Sequence, residues 1–276
     1  RAHDAPCYVL LSLYASERGQ KVRCNETVAC PNGARAMQGQ QGSLMLLTVD
    51  IGNTQTAIGL FEGPDLQGSW RFTTRSVDTV DEIHFSLAGQ LRLSGYELDD
   101  VTDMVIASVV PVLTLSWAQA GERITGKKPI VVGPGVKTGL PMRYDNPAEV
   151  GADRVADAVA AISEYGAPVV VVDLGTATNI EVIDKKGQFL GGIIAPGLGM
   201  GSIMLAQKTA RLPEVELTMP AHVIGTNTND AIRSGLLRGE VARIDGLVRM
   251  IFDELGYEAP VVATGGYAHA IARLSK

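Results

Sequence analysis

The chain has 276 residues, of which 46% are hydrophobic and 20% charged, enough apolar material to bury one large core or two ordinary ones. Its net charge of −6 leaves no broad basic field for nucleic acid or an anionic membrane surface, so a small anionic substrate would need a local site. No window approaches the roughly 18 uninterrupted apolar residues of a membrane span, and the expectation is a cytoplasmic protein with neither nucleic acid nor membrane as partner.

Residues 1–43 differ in kind from the remainder of the chain. They lack a sustained apolar period, cluster Gly and Gln over Gln38–Gly42 and hold all three cysteines, Cys7, Cys24 and Cys30, so positions 31–276 have no thiol for a disulfide, zinc site or nucleophile. Without a histidine at ligand spacing the cysteines make an incomplete zinc set, and the segment reads as a leader, with Met45 a more natural start. It carries five Lys and Arg against three Asp and Glu, leaving 19 against 27, a net −8, for positions 44–276.

From Leu44 the pattern alternates β-rich and helical runs, as an α/β protein should. Leu44–Ile51 reads as a buried strand, Thr56–Phe61 as its hairpin partner and Trp70–Thr74 as a third strand. Asp78–Leu93 has helical spacing through Val80, Ile83, Leu87 and Leu91. Val105–Val110 reads as a strand stopped by Pro111, Leu113–Ile124 as a helix and Ile130–Val132 as another strand. The theme then repeats, with strand Val169–Leu174, a glycine turn, strand Asn179–Ile183, a Lys185-Lys186-Gly187 turn and strand Phe189–Ile194. A long helical stretch from about Thr228 to Leu255, a strand Pro260–Ala263, a Gly265-Gly266 turn and a helix from Tyr267 complete the pattern.

The chemistry begins at the turn Asp50-Ile51-Gly52-Asn53-Thr54 between the first two strands. Gly52 permits a positive φ or a close backbone approach, the amides of a glycine turn make a nest for phosphate oxygens, and Asn53 and Thr54 add side-chain donors. Asp50, an anion aimed at a phosphate site, makes sense if the Mg²⁺ of bound ATP sits between them. Alone, such a turn is commonly just a hairpin. The second copy, Asp173-Leu174-Gly175-Thr176-Ala177-Thr178, lies 123 residues on and again ends an apolar strand with a carboxylate, a glycine and hydroxyls. Ala263-Thr264-Gly265-Gly266 adds paired glycines at a strand end, where a flat adenine could approach the backbone.

An acceptor side is suggested by Tyr144-Asp145-Asn146-Pro147 followed by Glu149-Val150-Gly151-Ala152-Asp153-Arg154. Asn146-Pro147 favours extended entry into a helix from about Ala148, which places Asp153 and Arg154 near its N-terminal end. A phosphoryl acceptor hydroxyl needs a carboxylate to take its proton, and an anionic substrate is gripped by the forked guanidinium of Arg. His84, His222 and His269 are far apart in sequence and read as surface or packing residues, and Gly199–Met204 as a helix start packed on the cleft.

These signatures, in this order, resemble a type III pantothenate kinase of the acetate and sugar kinase, heat-shock 70 and actin superfamily, over about Leu44 to Lys276. The resemblance implies a duplicated actin-like (ribonuclease H-like) α/β fold, with residues 44–150 as one half, 151–276 as the other and an ATP cleft between them. It implies that Asp50, Ile51, Gly52, Asn53, Thr54, Gln55, Thr56 and Ala57 bind ATP phosphates, joined by Thr176, with Gly265 and Gly266 at adenosine. Asp153 becomes the general base, taking the proton of pantothenate's primary hydroxyl as that oxygen attacks the γ-phosphorus. Tyr144, Gly151, Ala152, Asp153, Arg154 and Thr228 would hold pantothenate, and Asp173 a monovalent cation, K⁺ or NH₄⁺. The resemblance also implies a homodimer, with the site near the subunit interface. Family members usually continue through another short strand and helix beyond the adenosine-like turn, and the leader has no counterpart among them. Another superfamily sugar kinase or phosphatase would share both glycine turns but lack the Gly151–Arg154 signature; a non-catalytic regulator would lose Asp50, Asp153 or Asp173.

Overall fold

The computed structural model describes residues 45–275. The leader of residues 1–43, with its three cysteines, lies outside the described residues, as does Leu44 at the head of the first strand. The described chain divides into two compact units, 45–164 and 165–275, whereas the sequence put the start of the second half at Gly151.

In the first unit, β1 (Met45–Ile51), β2 (Gln55–Glu62) and β3 (Asp65–Thr73) form an antiparallel meander. A crossover through α1 (Val80–Leu93) brings β4 (Val101–Ser108) parallel to β1, and after α2 (Pro111–Thr125) the short β5 (Ile130–Val131) pairs parallel to β4. The sheet order is therefore β3-β2-β1-β4-β5. β1 is buried along almost its whole length because helices and neighbouring strands cover it, which suits its largely apolar sequence; the buried Thr48 hydroxyl donates to the Gly59 carbonyl at 3.3 Å. Ile83, Leu87 and Leu91 of α1, at helical spacing, pack with Leu113, Trp117 and Ala120 of α2 and with Leu47, Val49 and Ile51 into one core.

Two strands begin earlier than their apolar residues announce. β3 starts at Asp65, and its polar opening is held by pairing with β2, where Gly68 leaves room for the Trp70 indole, whose Cζ2 lies 2.5 Å from where a Cβ would stand. β4 starts at Val101, carried by its parallel register with β1 and by Thr102, whose hydroxyl donates to the Met45 carbonyl at 3.1 Å. Pro111 does not cap a strand that runs to Val110; β4 ends at Ser108, and Pro111 occupies the first turn of α2, where its missing N–H costs nothing.

The expected helix from Ala148 is also displaced. Asn146 accepts from the Ala148 N–H at 3.3 Å and donates to Glu149 at 2.8 Å, which closes a single 3₁₀ turn over Pro147–Glu149. Val150 is extended, and the α-helix, α3 (Ala152–Tyr165), begins after Gly151.

The second unit repeats the plan. β6 (Val169–Leu174), β7 (Ala177–Ile183) and β8 (Phe189–Pro196) form the meander, and β9 (Val261–Thr264) lies parallel to β6, giving the order β8-β7-β6-β9. The crossover consists of α4 (Leu198–Lys208), α5 (Thr228–Arg233), a π-helical turn over Ser234–Arg238 and α6 (Gly239–Leu255), and α7 (Ala268–Ala272) follows β9. Leu198, Leu237, Ile244, Ile251 and Ile271 close on Val170, Val172 and Ile180 to make its core. The final helix expected from Tyr267 is this short one.

Candidate functional site

In the first unit the turn after β1 is a two-residue hairpin loop. Ile51 pairs with Thr56, the Gly52 N–H donates to the Gln55 carbonyl at 3.0 Å, and Asn53 and Thr54 stand exposed at the tip. Gly52 is not at positive φ; a Cβ there would sit 3.0 Å from the Gln55 oxygen, so close approach, the second of its two expected uses, is the one it serves. Thr56 and Ala57 are buried in β2 and support the loop from below, while Asp50 is half-buried at the end of β1.

Thr74, just past β3, clamps this loop and is a residue the motif reading missed. Its N–H donates to the Thr54 carbonyl at 3.0 Å, its hydroxyl donates to the Gly52 carbonyl at 2.8 Å, and it shares a 3.0 Å hydrogen bond with the Thr56 hydroxyl. Only the third strand's register could have revealed it, because nothing local to Thr74 marks a turn 20 residues upstream.

The acceptor motif meets the same end of the sheet. Ile51 and Ser108 are register partners, and the next residue, Val109, donates its N–H to the Ile51 carbonyl at 3.0 Å. A Cβ on Gly151 would stand 3.6 Å from Val109 Cγ1 and would overlap the Asp153 carboxylate. Asp153 thus lies in the first turn of α3 at the sheet end that carries the Asp50–Thr54 loop, with Oδ1 accepting the Arg154 N–H at 2.8 Å. Ala152 is buried, and Arg154 is only 6% exposed, so its guanidinium belongs to the interior rather than to an open surface. Tyr144 is half-buried in the segment leading to Asn146.

In the second unit Asp173 pairs with Asn179 on one side and Thr264 on the other. The Gly175 N–H donates to the Ala177 carbonyl at 3.0 Å, which leaves Thr176 exposed at the tip of a turn tighter than the first. Gly265, at φ 91°, has the Asp173 carboxylate and the Leu174 backbone where a Cβ would stand, and the Tyr267 N–H donates to the Leu174 carbonyl at 3.2 Å. The structure therefore brings the second phosphate-type turn and the glycine pair together. Only Gly265 is demanded by sterics; Gly266 faces open space. Thr228 is the exposed first residue of α5, capped by Asn227, which accepts from the Asp230 N–H at 2.9 Å.

Among the described residues no three His, Cys, Asp or Glu side chains cluster to hold a metal ion. Each glycine turn instead follows one half-buried aspartate, Asp50 or Asp173, whose carboxylate is a ligand type suited to a hard cation. The run Gly199–Met204 starts a helix, but Met200 and Met204 are exposed rather than packed inward.

A family model described as type III pantothenate kinase matches residues 46–250, well over half of the chain. The chain belongs to the type III pantothenate kinase family. A type III pantothenate kinase of Acidobacterium capsulatum is 44% identical over 238 residues, covering 84% of this chain and 88% of its own. One of Anaeromyxobacter dehalogenans strain 2CP-C is 46% identical over 232 residues, covering 84% and 91%. Among solved structures, a Baf family member from Campylobacter jejuni superposes with a TM-score of 0.51 at 20% identity, over 83% of this chain and 87% of that one, which bears on the fold alone. The fold of this chain is an α/β architecture, with the strand meander, crossover and parallel strand present twice.

Proposed function

We propose that this chain carries out the family's reaction, ATP-dependent phosphorylation of pantothenate to 4′-phosphopantothenate, the opening step of coenzyme A synthesis, with the residues assembled above. The observation that carries the assignment of roles is the placement of Asp153. Its carboxylate stands in the first turn of α3, pressed against Gly151, at the sheet end that also carries the Asp50–Thr54 loop.

Asp50 to Ala57 are assigned to the ATP phosphates, with the Asn53 and Thr54 tip supplying donors. Thr176 is assigned to ATP and Gly265 and Gly266 to adenosine. Tyr144, Gly151, Ala152, Arg154 and Thr228 are assigned to pantothenate. Asp153 accepts the proton of the primary hydroxyl while that oxygen attacks the γ-phosphorus in line and ADP departs. General base assistance of this kind contributes about 10²–10⁴-fold, with the rest from positioning and charge neutralisation. Asp50 would hold Mg²⁺ and Asp173 a monovalent cation such as K⁺ or NH₄⁺; bound there, they neutralise charge on the phosphates.

We further assign a cytoplasmic homodimer. No described helix is long and apolar enough to cross a membrane, and exposed Met200, Ile203 and Met204 give α4 an apolar face. Replacing Asp153 with Asn tests the base assignment. The expected result is a fall in kcat of about 10²-fold or more with a much smaller change in the KM for ATP; near-native turnover would overturn it.

A further inference from the structure

Behind the second glycine turn lies a buried polar chain that the roles above leave unused. Thr178 in β7 is 2% exposed and Glu240 in α6 is 5% exposed. The Thr178 hydroxyl donates to Glu240 Oε1 at 2.7 Å. The other carboxylate oxygen, Oε2, pairs with Arg243 one turn along α6, and Arg243 Nη2 also donates to the Pro196 carbonyl at 2.9 Å. One helix is thereby bonded to the first strand residues after the turn and to the last residue of β8.

Those two points bracket the turn. Ala177 pairs with Pro196 across β7 and β8, and the Gly175 N–H donates to Ala177. Gly197 donates its N–H to the Thr176 carbonyl at 3.2 Å, and a Cβ on it would overlap Thr176 and Gly175. Any play at Thr178 or Pro196 therefore reaches Thr176 through bonds already on the backbone. A buried carboxylate is costly to desolvate, and an apolar pair could fill the same volume. What the charged pair adds is direction, because each bond defines an angle as well as a distance.

We propose that Glu240 is a positioning residue for the nucleotide, acting through Thr178 and Arg243 to hold Thr176 and the Gly175–Ala177 backbone in register. The inference rests on the assignment of that turn to ATP. Steady-state kinetics with ATP and pantothenate varied separately, together with thermal melts, are measured for Glu240→Gln, Thr178→Val and the double variant, and for Asp173→Asn. Glu240→Gln and Thr178→Val are each expected to raise the KM for ATP by about tenfold, the size expected for losing one directed bond to a charged group, with pantothenate KM nearly unchanged. The double variant should be no worse than the poorer single one, since both break one chain of bonds. Arg243→Lys, which keeps the charge but loses the fork to Pro196, should shift ATP KM in the same direction and guards against a failure of the other variants to fold. A purely structural role would lower the melting temperature and scale kcat with the folded fraction while leaving both KM values in place, and that pattern overturns the proposal. If Asp173→Asn changes ATP kinetics while Glu240→Gln and Thr178→Val do not, the positioning role fails and the turn assignment stands. If none of them changes ATP kinetics, the turn assignment fails and takes the positioning role with it.

Discussion

At Gly151 the missing side chain is what lets Asp153 stand where it does. The Asp153 carboxylate occupies the space of a Cβ, and Val109 lines the other side at 3.6 Å. Gly151→Ala would therefore push the carboxylate away from its seat without altering its charge. Misplacement of about 1 Å costs on the order of 10²-fold in rate, so a kcat loss of that size is expected, with circular dichroism still native; near-native kcat would show that the seat is not needed. Gly52 illustrates the same use of glycine, close approach to the Gln55 oxygen, whereas Gly265 combines close approach with a left-handed backbone. Sequence alone names glycine at all three and cannot tell which need is being met.

At the scale of elements, the two glycine turns are held by equivalent means. Thr74 and Gly197 each follow the third strand of a meander, are 123 residues apart like Asp50 and Asp173, and each donates its N–H into its turn, to Thr54 and Thr176 respectively. α1 is set by a different local device. The Thr79 N–H donates to Glu82 Oε2 at 2.9 Å and the Glu82 N–H to the Thr79 hydroxyl at 3.3 Å, a reciprocal capping box. The Thr79 backbone N–H, then its hydroxyl, and the charge of Arg75 hold the Glu82 carboxyl below its ordinary 4.5. A carboxylate with a depressed folded-state pKa stabilises the fold above its unfolded value, and that contribution is lost as pH falls through the folded value. The melting temperature of the native chain should therefore exceed that of Glu82→Gln at pH 7, with the gap closing at acid pH below 4.5. A gap independent of pH would mean that the charge of Glu82 does not hold the cap.

For the whole molecule, the repeated sheet order is the record of its organisation, and each unit has its own apolar centre. Leu47 is fully buried in the first of these. Leu47→Ala should cost about 2–5 kcal/mol in chemical denaturation, depending on how far the cavity collapses. Leu93→Ala, at a site 87% exposed, should stay within about 0.5 kcal/mol; equal effects would contradict the core assignment.

The strands Met45–Ile51 and Val169–Leu174 were readable from the chain because each is largely apolar and carries Asp as its next-to-last residue. So were the paired glycine turns at the strand ends and a helix start near Asp153, since each is local chemistry at short spacing. The polar opening of β3, the 3₁₀ turn ahead of α3, the burial of Arg154 and the bonds made by Thr74 and Glu240 were not. Each depends on partners far along the chain: Thr74 bonds to Gly52, Thr178 to Glu240 and Arg243 to Pro196. Periodicity and short motifs report what a residue does to its neighbours in sequence. Which polar groups meet across strands and helices is decided only when the meander and its crossover close, because burial then forces every buried donor and acceptor to find its partner in space.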